Sequence, residues 1–445
     1  MPSYNDRISL IGKLKRSAID AWMHDIGWSV TATHYTKITP GRTPITTTVT
    51  RPGTAGVGGG HWEQHHLGTV IPHTSPSQDE GFKSHFAAVG EHIDELVKHW
   101  LDLPDPEEIG KVVESCRQAE RRLSVTASSS GGEVTGAAPL VGYLKLIEQN
   151  VETMSGAAIE AYKSKFLIQL GSVISGFHAV SIVRGADVIA QQSLWEAARQ
   201  DFADILNEGR KTMDMVASGA TSNWEQALTV VGLAAEGLSL FLPGTASKVL
   251  NFGLSILKEG APDKPPKRLI DTYDTAIRTL RTMLDRLSDK IATEELRLKD
   301  NIVKNEVNIR NDRSSFDLTQ PPPSSGDGLI VMQPERVHEI THSYMPFLAD
   351  ELDAVATIVR DCGTYSAVRR DDSIGMGAIG PSSQLRDLND LHYDMVKDLS
   401  WEVRNGAKDL ELVMEDFEQH EQENLRAIQK LTEEIDQGSP FTNWG

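Results

Sequence analysis

The sequence predicts a mainly all-α fold of long antiparallel helical hairpins and a bundle, with a small irregular or β-hairpin region near the N-terminus. Three observations carry this expectation. Apolar side chains recur every three to four positions over long stretches of the 445 residues, the period of one buried helix face. Pro-, Gly- and Ser-rich breaks at 103–106, 124–138 and 320–326 divide those stretches. Thr, Pro and Gly concentrate in one segment, 30–80, where a helical period is lost.

Taken in order, Ile8, Leu10, Ile11, Leu14, Ile19, Trp22 and Ile26, interrupted by Lys13, Lys15, Arg16 and Asp20, space out as an amphipathic helix. In the segment that follows, Pro40-Gly41 between Val/Thr/Ile runs is placed to close a hairpin, and 56–60 reads as a Gly-rich loop. Helical texture resumes at Phe82, breaks at Leu103-Pro104-Asp105-Pro106, and continues over 107–123. After the Ser/Gly connector, Tyr143, Leu146 and Val151 lead to a break at Met154-Ser155-Gly156, and a long helix is expected to run on to Val216. Gly171, Gly176 and Gly185 within it each cost about 1 kcal/mol against alanine, which a closely packed partner helix offsets.

The most apolar part, 227–257, is split by Pro243-Gly244 into two arms. Each is shorter than the roughly 20 residues that span a bilayer, so a buried hairpin is expected, with conditional membrane insertion as the alternative. Over 267–316, Ile270, Tyr273, Ile277, Leu280, Leu284, Leu287 and Ile291 form the seam of a helix that packs on another helix. Two further helices complete the chain. One starts at Pro334 and carries Val337, Ile340, Tyr344, Leu348, Leu352, Val355 and Ile358 inward; the other, 383–431, presents Leu388, Met395, Leu399, Val403, Leu410, Val413 and Phe417. Joined by a Gly-containing loop, they are expected to pair antiparallel. The domain divisions that follow are 1–80, 81–220, 221–320, a Pro-rich linker 321–333, and a C-terminal hairpin 334–435.

With 44 basic and 63 acidic residues the formal net charge is −19. That balance argues against nucleic acid as the main partner, because affinity for phosphate backbones rests on cationic side chains. It equally disfavours adsorption to anionic lipid. The two cysteines, Cys116 and Cys362, provide no disulfide framework and no C-x-x-C. The N-terminus lacks the basic and apolar regions and the cleavage site of a secretory signal. The expectation is either a cytoplasmic protein or one that leaves by a signal-peptide-independent route.

Several motifs bear on chemistry. His338-Glu339-Ile340-Thr341-His342 is an H-E-x-x-H on an expected helix, which places two imidazoles one turn apart with Glu339 as a candidate base for zinc-bound water. By spacing, Asp361 is the available acidic third ligand. The stripe Val337, Tyr344, Leu348 leaves both histidines on the solvated side, so solvated or pairing histidines are the first expectation and a zinc metallopeptidase the alternative. Pro346 removes the N–H that the His342 carbonyl expects, which predicts a kink. Gly375-Met376-Gly377-Ala378-Ile379-Gly380 matches G-x-G-x-x-G, but the charged Val368-Arg369-Arg370-Asp371-Asp372 before it is no buried strand, so a plain loop is expected. His61, His65 and His66, beside the Gly-rich loop, are read as solvated, with adventitious metal ligation as the alternative. No Walker loop or nucleophile elbow occurs. No catalytic, metal-binding or cofactor residue is assigned.

The C-terminal hairpin resembles the Trp-X-Gly superfamily of actinobacterial type VII (ESX) secretion substrates. The family's Tyr-x-x-x-Asp/Glu export signal corresponds here to Phe417 and Glu421 in Val413-Met414-Glu415-Asp416-Phe417-Glu418-Gln419-His420-Glu421, with phenylalanine in the tyrosine's place. A second similarity covers 144–166, LKLIEQNVETMSGAAIEAYKSKF, where Met154 and Gly156 take the positions of the inter-helix Trp-x-Gly turn. The resemblance implies a non-enzymatic protein that acts by helix packing and uses no cofactor. It also implies a type VII secretion ATPase as partner, with another helical protein or a second copy, and a secreted or cell-surface destination.

Overall fold

The computed structural model describes residues 2–42, 44–66, 69–126, 135–224, 269–318, 331–417 and 430. Helices dominate, and a small antiparallel sheet lies near the N-terminus. The predicted apolar segment 227–257 and the linker 321–330 fall outside the described residues.

Helix α1 (Arg7–Asp25) buries Leu10, Ile11, Leu14, Ala18 and Ile19, whereas Ile8 and Ile26 of the expected stripe are exposed at its two ends. The Thr-rich segment after it is more regular than the single hairpin expected. It forms five antiparallel strands in sequential order: β1 (Ser29–Val30), β2 (His34–Thr39), β3 (Ile45–Thr50), β4 (Trp62–His66) and β5 (Thr69–Thr74). The turn at Pro40-Gly41 lies between β2 and β3, which pair from Thr39↔Ile45 to His34↔Thr50. β-Branched residues suit a pleated, half-buried surface, which is why so few apolar residues suffice here. Tyr35 and Val49 alone anchor β2 and β3 in the core. The Tyr35 hydroxyl donates to Asp20 of α1 at 2.7 Å, and Arg51 donates to the same carboxylate from Nε at 2.7 Å and from Nη2. Asp20 is thereby buried with both of its oxygens engaged.

Helices α2 (Pro76–Val97) and α3 (Pro106–Arg122) each begin at a proline, where a missing N–H costs nothing. α4 (Pro139–Val151) is followed by α5 (Ala157–Ala217), 61 residues long and interrupted by one π-helical stretch at Ser164–Gln169. α5 is the axis of the fold: α1, α3 and the heptad helix α6 (Tyr273–Asn311) all pack along it. It is apolar and long enough by composition to cross a membrane, and most of its apolar window is buried inside the protein. Gly176 and Gly209 lie where neighbouring segments approach it closely. A Cβ on Gly176 would stand 2.9 Å from the Ser315 carbonyl and 3.1 Å from the Phe316 ring.

The α6 seam is buried as spaced: Tyr273, Ile277, Leu280, Leu284, Leu287 and Ile291 all face inward. Thr272 and Thr275 close a reciprocal capping box at its start. The C-terminal segment comprises α7 (Pro334–Glu339), a π-helical turn (Ile340–Tyr344), α8 (Met345–Arg360) and α9 (Ser382–Phe417). Contacts climb one helix as they descend the other. Asn389 reaches the Arg360 carbonyl, Lys397 pairs with Asp353 at 2.6 Å, Ser400 donates to the Ala349 carbonyl at 3.0 Å, and Arg404 meets Asp350 at 2.6 Å. These helices run antiparallel around Leu348, Leu352, Val355, Met395, Leu399 and Val403, all buried.

Candidate functional site

The residues of the H-E-x-x-H segment sit on a local irregularity of the helix. Pro346 cannot donate to the His342 carbonyl, and the expected response was a kink. Instead the preceding turn widens. Ile340–Tyr344 is π-helical, and the Met345 N–H reaches back five residues to the Ile340 carbonyl. Such single π turns absorb a misplaced donor within an otherwise continuous helix. Val337 and Ile340 stay buried, and His338 and His342 are left exposed with their rings stacked, centroids 4.0 Å apart.

The opposite helix supplies what the motif lacked. Glu411 of α9 places a carboxylate oxygen 3.3 Å from His342 Nε2. One ligand atom each from His338, His342 and Glu411 falls within 4.8 Å of the other two. Asp361, the acid expected by spacing, stands 19 residues further along, roughly 28 Å by helical rise, and takes no part. Glu411 is 69 residues beyond His342 in the chain, and only the antiparallel pairing of α8 with α9 brings it here. The other ring nitrogen, His342 Nδ1, is engaged by Thr341 Oγ1 at 2.9 Å. Glu339 accepts from the Tyr344 hydroxyl at 3.3 Å and is outside the three-residue group. Two imidazoles and a carboxylate form a donor set suited to a borderline divalent cation, with a coordination position left open.

A second cluster lies at the glycine motif. Gly375, Gly377 and Gly380 all have positive φ, and the loop they shape wraps a carboxylate of the protein itself. Glu295 of α6 receives Arg370 Nη2 at 2.6 Å on each oxygen and the Met376 N–H at 2.8 Å. Both side chains are essentially without solvent exposure, and the Arg370 guanidinium lies 4.6 Å from the centre of the Trp195 ring. A Cβ at Gly375 or Gly380 would collide with the Glu295 carboxylate. The glycines here cradle Glu295, in keeping with the loop expected from sequence. At the rim His99 holds Asp371 at 2.7 Å and, with Ser373, keeps that carboxyl well below the usual range.

A third cluster escaped sequence reading altogether. Arg184, in the middle of α5, is completely buried. Its guanidinium donates to Asn389 Oδ1 at 2.8 Å and to Cys362 Sγ at 3.4 Å, and approaches His392 Nδ1 at 3.3 Å. Cys116 of α3, also buried, is coupled to Cys362, and that coupling, with the Arg184 charge, lowers the Cys116 thiol below its ordinary value. Burial and the same Arg184 charge hold His392 neutral, well below an ordinary histidine. One turn along α5, burial pushes Asp187 up to about 7, opposed by a hydrogen bond from Asn301 at 3.0 Å. These residues come from five separated stretches of chain, so no local spacing could have announced them.

The remaining sequence candidates are placed as follows. Met154 is buried and Gly156, at φ +122°, turns the chain between α4 and α5; α4 then rests chiefly on α8 and the π turn rather than along α5. Phe417 is the last residue of α9, and Glu421 lies outside the described residues. His61 pairs with Asp79 at 2.8 Å and with Glu63 at 3.3 Å, and the hydrogen bond it donates to Asp79 raises its pKa; His65 faces Glu63 at 3.5 Å. Neither a protein-family model, nor a curated protein, nor a solved structure matches the chain.

Proposed function

We propose that this chain is a helical interaction protein handled by a type VII secretion machine, acting by helix-packing recognition rather than by catalysis. The observation that carries the reading is the antiparallel pairing of α8 and α9 along their buried stripe, with Phe417 closing the second helix. On this reading the export ATPase docks at the C-terminal end of α9, with Phe417 and Glu421 as the contacting residues. The turn at Met154 and Gly156 does not add to this reading, because α4 rests chiefly on α8 and the π turn rather than along α5. The acidic balance keeps nucleic acid and anionic lipid out of the partner list. A second helical protein or another copy of this chain is the expected companion, and the cell surface or medium the destination.

The test is export itself. With the chain expressed in an actinobacterial host that carries such a machine, the parent accumulates in the culture medium and the Phe417→Ala, Glu421→Ala double variant stays in the cells. Equal export of both proteins, or none of the parent, removes the proposal.

A further inference from the structure

We propose that His338, His342 and Glu411 bind a divalent cation of the zinc class, forming a clasp between the start of the C-terminal helix pair and the far turns of α9. This proposal is independent of the export reading.

Three features argue for it. The first is donor chemistry: two imidazoles and one carboxylate favour zinc, cobalt or nickel over the all-oxygen coordination that magnesium and calcium take. The second is spacing. Ligands held about 2.0–2.1 Å from a tetrahedral zinc stand about 3.3 Å apart, and His342 Nε2 and Glu411 are already at 3.3 Å. His338 is exposed, so rotation of its side chain brings the third donor in from within 4.8 Å without disturbing the core. The third is support behind the ligand. Metal-bound histidines characteristically engage their other ring nitrogen in a hydrogen bond that fixes the tautomer. Buried Thr341 does this at His342 Nδ1, which leaves Nε2 for the cation.

In the absence of a cation, a solvent-exposed histidine–glutamate contact contributes little. A cation shared by His338, His342 and Glu411 adds a cross-link between the π turn before α8 and the last turns of α9, beside the buried seam of Ile340, Leu410 and Val413. Glu339, held by Tyr344, is not needed for that task. The site therefore serves to stiffen the end of α9 rather than to activate water.

Cobalt(II) titration followed by visible absorption, and zinc titration by calorimetry, are expected to show one site per chain. His338→Ala, His342→Ala and Glu411→Gln each weaken binding by at least about tenfold, Thr341→Val by about tenfold, and Glu339→Gln leaves it unchanged. All five positions lie on the surface or beside it, and circular dichroism verifies that each variant keeps its helices. Zinc slows amide exchange over residues 405–415 in the parent and not in Glu411→Gln. Absence of a one-to-one site overturns the proposal, as does binding that survives both His338→Ala and Glu411→Gln. Zinc-dependent cleavage of casein that Glu339→Gln abolishes overturns the clasp in favour of a hydrolytic centre.

Discussion

The phenyl ring of Phe166 lies directly on Gly406, so that even a methyl group at position 406 would occupy the same space as the ring. Through this contact the beginning of α5 is locked to α9, two elements separated by 240 positions in the chain. Gly406→Ala is expected to destabilise the protein by about 1–3 kcal/mol, the usual cost of overpacking a filled core. Phe166→Leu in the same chain recovers part of that loss. Urea denaturation of the single and double variants measures both effects.

Glu295 and Arg370 are buried as a pair, and removing one leaves the other charged and dry. Glu295→Gln should therefore cost about 3–5 kcal/mol. Gly380→Ala should be destabilising as well, because its Cβ enters the volume of the Glu295 carboxylate at a backbone angle that alanine resists. Denaturant midpoints order the variants, and a Gly380→Ala protein as stable as the parent contradicts the cradle.

Asp187 gives the protein a distinctive response to pH. An ordinary aspartate has a value of 3.8, and burial raises Asp187 to about 7. Between those limits the folded state holds a proton that the unfolded chain releases, so stability falls as pH rises from about 4 to 7 and levels off above. Asp187→Asn keeps the acceptor for Asn301 and removes the titration. The difference in stability between parent and variant should shift in the variant's favour across that window. A constant difference from pH 4 to pH 8 refutes the assignment.

Asp20 joins helix α1 to the sheet through Tyr35 and Arg51. Arg51 retains some contact with water, so Asp20→Ala is expected at the lower end of the range for a broken buried pair, about 2–3 kcal/mol. Amide exchange in β2 and β3 should quicken before exchange in α5 does.

What could be read from the sequence follows the range over which residues act. The α6 seam and the inward faces of α8 and α9 were legible because helical period is a local property, visible within ten or so residues. The loop character of the G-x-G-x-x-G stretch was legible from the charges before it, but its occupant, Glu295, lies 80 positions upstream of Gly375. The strands of the 30–80 segment were only partly legible. Their faces are rich in threonine, and Tyr35 and Val49 are too few to set up an alternating pattern. Glu411 beside His342, and Arg184 among Cys362, Asn389 and His392, arise from tertiary pairing alone.

The arrangement around α5 also has a consequence for biogenesis. This rod has one flank covered by α1 and α3, which leave the ribosome before it, and another covered by α6 and α9, which emerge long afterwards. Through that interval the flank of α5 that α6 and α9 cover in the folded protein lacks those two helices, and exposed apolar surface of this kind favours self-association. The folding of α5 is thus completed only once Tyr273 and the residues after it are available to pack on it.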